Sequence, residues 1–340
     1  LKHLLNISAY AFDTQRHGGL GALQGMCSRN GLDGAELLTG HFTPDPSFQR
    51  FAVGVHLPYA VDWYSVWRGG GHPEHLDQED VLFLSFGRDR EAMIQAIRSS
   101  WLEASTLNPA YGVFHAGSPS LDRIYSQDFP YGDMEVLEAL VDLLNQVVEG
   151  FPTGEPPFPL MLENLWWPGL RLLDKEEVMV LERGLNFQDW GICLDVGHLM
   201  NSLRECRRED EATDAVLRHL SSLPSKVLDR VKVMHLHMSL SAQYQEDSMR
   251  KGESRDYLQG DVHHRLREAF PHFSAIDWHA PFQNRRCQEI VTLVHPDFVT
   301  HEFICPHPED MESKLRCQLA HFQDRNAASA DLHPKPVPQR

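Results

Sequence analysis

No two of the six cysteines (Cys27, Cys193, Cys206, Cys287, Cys305 and Cys317) stand in a Cys-x-x-Cys pair, and their scatter argues against a disulfide scaffold. A reduced, cytoplasmic protein is the expectation. Long apolar runs are missing too: nothing approaches the roughly 20 consecutive residues that a membrane-spanning helix needs. The opening stretch LKHLLNISAY has neither a long apolar segment nor a small-residue cleavage site, so a soluble, unprocessed chain with no membrane partner is expected. Positive charge is scarce, with 31 Lys and Arg against 48 Asp and Glu and a formal net charge of −17. That balance disfavours a general nucleic-acid surface, since backbone affinity comes from Lys and Arg, although a local basic groove stays open. The glycines of WRGGGH (67–72) read as loop, because no strand–glycine–helix phosphate signature surrounds them.

The chain does have core material: 42% of its 340 residues are apolar and 23% charged, an ordinary globular balance. Short β-leaning runs recur at 3–10, 33–38, 51–58, 111–116, 158–164, 190–196, 231–238 and 298–304. Helical patterns separate several of them, at 89–104, 134–150, 172–184, 210–223 and 286–294, and a last one lies near 309–325. Eight strand–helix units in one unbroken series predict a single α/β domain, a parallel (β/α)8 barrel over 1–326, with a doubly wound open sheet as the competitor. Residues 327–340, AASADLHPKPVPQR, are expected to be a disordered tail. Two connections are long, 59–87 after the third strand and 239–283 after the seventh, and such insertions in a barrel build the active-site face.

Side chains at the carboxyl ends of barrel strands converge on one mouth. Strand three ends GVHLPY with His56, and strand four ends VFHAG with His115. Strand five ends MLENLWW with Glu163, strand six ends ICLDVGHLM with Asp195 and His198, and strand seven reads VMHLHM with His235 and His237. Strand eight ends THEFI with Glu302, and the loop before it holds Asp277 and His279 in AIDWHAPF. Each has a plain alternative when taken singly: Asp195 as the N-cap of the next helix, a histidine as a hydrogen-bonded structural residue, a glutamate in a salt bridge. Together they are six consecutive strand ends carrying ligand-type residues, and so many ionisable groups are too costly to bury without a metal. His and carboxylate ligation suits Zn2+, with Mn2+ and Fe2+ as alternatives, and nine donors suit two or three ions.

These residues resemble the xylose isomerase-like barrel superfamily, and in ligand pattern its endonuclease IV branch of trinuclear zinc phosphodiesterases. The resemblance covers roughly the first 305 residues through strand-end motifs rather than continuous identity. It implies that His56 and His115 hold one ion, with Glu163 bridging to a second that Asp195, His235 and Glu302 complete. A third would be held by His198, Asp277 and His279. The isomerase and epimerase branches share only the Glu163, Asp195, His235 and Glu302 quartet around a single ion, so the Asp277–His279 pair tips the expectation toward hydrolysis. This chain departs from the pattern at His237, where a small polar residue is usual, and in its longer loop to Asp277.

The expectation is therefore a metal-dependent hydrolase of a phosphoric ester, with Glu163, Glu302 and Asp277 as the catalytic carboxylates. A sugar isomerase or epimerase, a nuclease acting at abasic sites in DNA, and a non-catalytic metal-loaded barrel are the alternatives. The substrate is expected to be a small phosphorylated or sugar-like molecule rather than DNA, given the charge. Trp63, Trp67, Trp166 and Trp167, with His237, are the candidate substrate-binding residues, a stacking wall beside the metals; loop packing is the competing role for the tryptophans.

Overall fold

Eight strands form where the β-leaning runs lie: β1 Lys2–Ser8, β2 Gly34–Leu38, β3 Ala52–His56, β4 Gly112–His115, β5 Leu160–Glu163, β6 Trp190–Asp195, β7 Val231–Leu236 and β8 Phe298–His301. Each pairs in parallel with the next, and β1 pairs with β8, so the sheet closes into a (β/α)8 barrel and no edge remains for the open-sheet alternative. The computed structural model describes residues 1–71, 76–205, 207–305 and 307–322; the tail 327–340 lies outside them. Among the described residues the five cysteines are free thiols, and no helix is long and apolar enough to cross a membrane.

The helical patterns become Arg90–Ser105, Asp133–Val148, Lys175–Gly184, Glu209–Ser222, Cys287–Val294 and Pro308–Leu319. Their starts are fixed locally, as Asp89 and Asp174 each accept a backbone N–H of the first turn. Alternation along a strand then decides which side chains face inward. Leu4, Tyr111, Val113, Met161, Cys193 and Val233 form an apolar plug inside the barrel. Two residues beyond Val113, Met161, Cys193 and Val233 on the same strands stand His115, Glu163, Asp195 and His235. The plug closes the barrel from below, so the polar residues above it meet solvent only through the mouth.

The long connections do build over that mouth. The first carries helices Trp63–Trp67 and Gln78–Ser85, and the second carries Ala242–Lys251, Arg255–Gln259 and Val262–Ile276. Val61, Val81 and Leu84 from the first pack with Tyr257, Leu266 and Ile276 from the second and with Trp166 and Trp167, a rim core separate from the barrel's own. Past the second insertion the chain is pinned to the end of β7, where Met238 N–H donates to Ala280 O at 2.8 Å and Ala280 N–H returns to Met238 O at 3.1 Å. That pair delivers Asp277 and His279 to the mouth.

The loops after β4 and β5 are clamped in the same way through an isolated bridge between Gly117 and Gly169. Gly169 has φ +130°, and a Cβ there would stand 2.3 Å from Ala116 O. Gly169→Ala should therefore destabilise the fold by on the order of 2–4 kcal/mol, from strain plus overpacking. Denaturant unfolding checks this; a variant as stable as the parent would show that the clamp is not under this constraint.

Candidate metal centre

Asp195 ends β6 and serves two structures at once. Its Oδ1 accepts the His198 N–H at 2.6 Å, capping the helix Val196–Leu203, while Oδ2 faces His237 Nε2 at 2.9 Å. The N-cap and ligand readings of this residue are thus compatible. Asn164, next to Glu163, locks the neighbouring strand end in place: its Oδ1 accepts Asp195 N–H at 2.8 Å and its Nδ2 donates to Asp195 O at 3.0 Å. The main-chain oxygen of Asn164 lies 2.9 Å from His198 Nδ1, which turns His198 Nε2 toward Asp277 Oδ2 at 3.3 Å.

Glu163 is the hub. Its Oε2 lies 3.2 Å from both His56 Nε2 and His115 Nε2, and its Oε1 lies 3.2 Å from His235 Nδ1. His235 Nδ1 also reaches Glu302 Oε2 at 3.0 Å. Asp277 Oδ2 gathers His198 and, at 3.2 Å, His279 Nδ1. Ser239 Oγ donates to the other Asp277 oxygen at 3.2 Å. All nine ligand-type residues expected from the strand ends and the Asp-x-His pair are brought together here, and His237 stands among them. Ligating atoms come within 4.8 Å of one another in His56, His115 and Glu163, in Glu163, Asp195, His235 and Glu302, in Asp195, His198 and His237, and in His237, His279 and Glu302.

These donors fit divalent ions. Two ligand atoms each about 2.0–2.1 Å from one tetrahedral zinc ion lie roughly 3.3–3.4 Å apart, close to the 3.2–3.3 Å of most of these pairs. Moreover, Glu302 Oε2 and His279 Nδ1 sit 3.0 and 3.2 Å from an opposite partner yet make no aligned hydrogen bond. Atoms that are close but not aimed at each other are arranged as ligands of a point between them. The left-handed backbone of His279, at φ +45°, is a local strain at the same place.

Electrostatics point the same way. Burial opposes charge on every group, but the neighbours outweigh it: His115 and His235 hold the Glu163 carboxyl well below its usual range, and His235 and His279 do so for Glu302. Asp195 and Asp277 are lowered despite burial by their flanking imidazoles. In return, and again against burial, carboxylates hold His198 and His235 well above the usual imidazole value, raise His56, and push His279 up to about 9. His115 goes the other way, because burial outweighs Glu163. Without metal, the carboxylates favour protons on His56, His198, His235 and His279.

One buried carboxylate was not expected from the sequence. Glu36, on β2, is fully buried; its Oε1 lies 2.9 Å from His235 Nε2, and its Oε2 accepts hydrogen bonds from Tyr111 (2.7 Å) and Thr300 (3.1 Å). It stands behind His235, close to Nε2 but without an aligned hydrogen bond, while Nδ1 faces the cluster. The only signal in the sequence was a lone acidic residue inside the apolar run GAELL, 34–38.

Above the cluster opens a cavity of about 350 Å³, lined by His56, His115, Glu163, His198, Asp277, His279 and Glu302 on its floor. Trp166 and Trp167 stand on its wall with Tyr59, Phe83, Phe270 and Phe273. The Tyr59 ring stacks on His115 at 4.8 Å, and the Trp166 ring lies 4.8 Å from that of His198. Trp63 and Trp67 are a correction: both are buried in the main core and absent from the described wall. Trp63 Nε1 is spent on Gly117 O at 2.9 Å, and the Trp67 ring packs under the Arg90 guanidinium at 4.6 Å. Among the described residues that line the cavity there is no lysine or arginine.

The raised histidines give a sign to the pH response. A group lifted from 6.5 to about 9, as His279 is, contributes stability that is full below pH 6.5 and lost as pH rises through about 9. Metal must displace those protons, so its affinity grows over the same window. Chelated protein should melt at lower temperature at pH 9 than at pH 6.5, and added Zn2+ should raise the melting temperature more at the higher pH. Scanning calorimetry in both buffers checks this; a metal-free melting temperature that climbs with pH would contradict it.

No family model and no curated protein matches the sequence. Solved structures do align along almost its whole length. D-allulose 3-epimerase from Methylomonas sp., in complex with D-allulose, aligns at 12% identity and a TM-score of 0.52, over 96% of this chain and 97% of its own. AsbF from Bacillus anthracis, involved in petrobactin synthesis, aligns at 13% identity and 0.51, over 95% and 100%. Endonuclease IV from Thermus thermophilus aligns at 16% and 0.49, over 95% and 99%. Likeness at such identities speaks to fold and not to reaction. The chain shares with these proteins the closed eight-stranded (β/α)8 barrel fold.

Proposed function

We propose that the protein is a metal-dependent hydrolase that cleaves a phosphoric ester of a small substrate in the cavity above its histidine–carboxylate cluster. The observation that carries this reading is the division of labour at Glu163, whose two oxygens serve separate histidine sets while Asp277 gathers a third. That is more donors than one ion takes. His56, His115 and Glu163 would hold one ion, Glu163, Asp195, His235 and Glu302 a second, and His198, Asp277 and His279 a third, with zinc the best match to the donor set. When bound, such ions supply Lewis acidity toward phosphoryl oxygens and activate water.

The chain's own residues do the rest. Glu163 fixes the spacing between two ligand sets, and Ser239 and Asn6 hold Asp277 and Glu302 in orientation, Asn6 Nδ2 donating to Glu302 Oε1 at 3.3 Å. The apolar plug keeps water from entering below. Tyr59, Phe83, Phe270, Phe273, Trp166 and Trp167 give the substrate an aromatic wall and exclude bulk water above. A bounded cavity whose described lining holds no lysine or arginine suits one phosphoryl group better than a duplex with many phosphates, consistent with the net charge of −17.

A second reading keeps one ion on the Glu163, Asp195, His235 and Glu302 quartet and makes the protein a sugar isomerase or epimerase. The compactness of that quartet, the neutral cavity wall and the likeness to D-allulose 3-epimerase favour it. Glu163 and Glu302 both touch His235 Nδ1, at 3.2 and 3.0 Å, and would then exchange a proton at the carbon beside a carbonyl.

The two readings part in one experiment. Zinc- or manganese-loaded protein is offered bis(p-nitrophenyl) phosphate, an abasic-site duplex, and ketohexoses in D2O. Cleavage of the small ester is expected, abolished by chelator and lowered at least ~100-fold by His279→Ala, with the duplex untouched. Deuterium entering a ketohexose while no ester is cleaved would replace the hydrolase with the isomerase; nicking of the duplex with the small ester untouched would restore a DNA substrate.

A further inference from the structure

Two chains of aromatic rings rise from the floor of the cavity, and each starts on a proposed ligand. In one, Tyr59 stacks on His115 with centroids 4.8 Å apart, Phe83 stands 6.2 Å from Tyr59, and Phe270 stacks on Phe83 at 5.9 Å. In the other, Trp166 lies 4.8 Å from both His198 and Trp167, and Phe273 meets Trp167 edge-on at 5.7 Å. Both chains end on the helix Val262–Ile276, at positions three apart that neighbour each other on its surface. All six rings line the same cavity. Two of them are left open to solvent: Phe270 is 52% exposed and Tyr59 37%.

Open rings around a cavity differ from core packing. A ligand that covers them recovers hydrophobic free energy that folding left unused, on the order of 25 cal/mol per Å² of apolar surface. The wall is also poor in partners for hydroxyl groups. Besides the proposed ligands, the hydrogen-bonding side chains of the described lining are Asn6, Tyr59, Ser274, Trp166 and Trp167. Asn6 is taken by Glu302, and Trp166 Nε1 is closed off from solvent. A polyol seated here would leave water and meet, among these side chains, two hydroxyls and one indole N–H, so most of its own hydroxyls would go unpaired. A planar apolar group has no such need and gains offset or edge-on contacts with the rings. The volume of about 350 Å³ lies at the small end of ligand sites and suits a phosphoryl group with a small ring system.

We infer that the substrate is a phosphoric ester of a planar, apolar alcohol, an aryl ester or one with a comparable ring, whose ring lies against this wall while its phosphoryl group sits at the floor. This rests on the hydrolase reading above and names its substrate class. In the reaction the oxygen of water bonds to phosphorus, and the P–O bond to that alcohol breaks with its electron pair on the alcohol oxygen. A proton from the water ends on that oxygen, and the products are the free aromatic alcohol and the remaining phosphate. Phe83 and Phe270 then set specificity, because they meet the ring and not the phosphoryl group.

Titration calorimetry of the full-length, zinc-loaded protein compares phenylphosphonate, methylphosphonate and glucose 6-phosphate, which share an anionic phosphorus head and differ in the group it carries. Phenylphosphonate should bind at least ~10-fold more tightly than either of the others, the effect of burying one ring. Phe270→Asn and Phe83→Leu, which leave every proposed ligand in place, should each cut that preference at least ~3-fold while circular dichroism stays native. Phe270 is half exposed, so its replacement disturbs little of the fold and keeps the test open if Phe83→Leu misfolds. Cleavage of bis(p-nitrophenyl) phosphate is followed in parallel. If glucose 6-phosphate binds as tightly as phenylphosphonate, or the folded variants keep the wild-type preference, while the ester is still cleaved, the aromatic class is wrong and the hydrolase reading stands. If phenylphosphonate is preferred but no ester is cleaved, the hydrolase reading fails and the ester assignment falls with it.

Discussion

Everything at the barrel mouth depends on one electrostatic constraint: buried carboxylates that, among the described residues, have no lysine or arginine to neutralise them. Glu36, Glu163 and Asp195 are essentially removed from solvent, and Asp277 and Glu302 are nearly so. A buried carboxylate left uncompensated costs far more than a domain's net stability allows. Tyr111, Thr300, Ser239 and Asn6 donate neutral hydrogen bonds to them, but among the described residues only imidazoles can bring positive charge, and an imidazole neutralises a carboxylate either by carrying a proton or by sharing a cation. The raised histidines and lowered carboxylates are the first solution, and the ligand-like spacing of poorly aligned atoms suits the second. Function follows from the competition between the two.

The fold supplies this constraint cheaply. A closed parallel barrel places strand-end residues within a few ångströms of one another without any of them being near in sequence, as His56 and Glu163 are 107 positions apart. The apolar plug beneath and the aromatic rim above lower the polarity around the cluster, so each charge interaction counts for more than it would in water. The two long insertions have a double role. Their shared core supports the rim, and the second one carries Asp277 and His279 to the site through its pairing with Met238.

How far this could be read from the sequence varies by residue. All eight strands were legible because each is a short apolar run, and their terminal His, Asp and Glu stand out against it. Asp277 and His279 are in a loop and were found through their spacing alone. Glu36 was not legible as part of the site: its partners Tyr111, His235 and Thr300 come from distant parts of the chain, and nothing local separates it from a half-exposed edge residue. The tryptophans show the same limit. Trp63 and Trp67 were grouped with Trp166 and Trp167 by residue type, but the short helix Trp63–Trp67 turns its rings into the main core, while the loop after β5 leaves the other pair on the cavity wall. Phe83, Phe270 and Phe273 carried no signal beyond being apolar residues on insertion helices, and their convergence is a product of the tertiary fold.

The central claim is that this mouth holds several ions on named residues, and anomalous diffraction at the zinc edge from crystals of zinc-loaded protein tests it most directly. The account predicts separate peaks beside His56 and His115, between Glu163 and His235, and among His198, Asp277 and His279. A single peak inside the Glu163, Asp195, His235 and Glu302 quartet, with Asp277 and His279 paired only to each other, would contradict it.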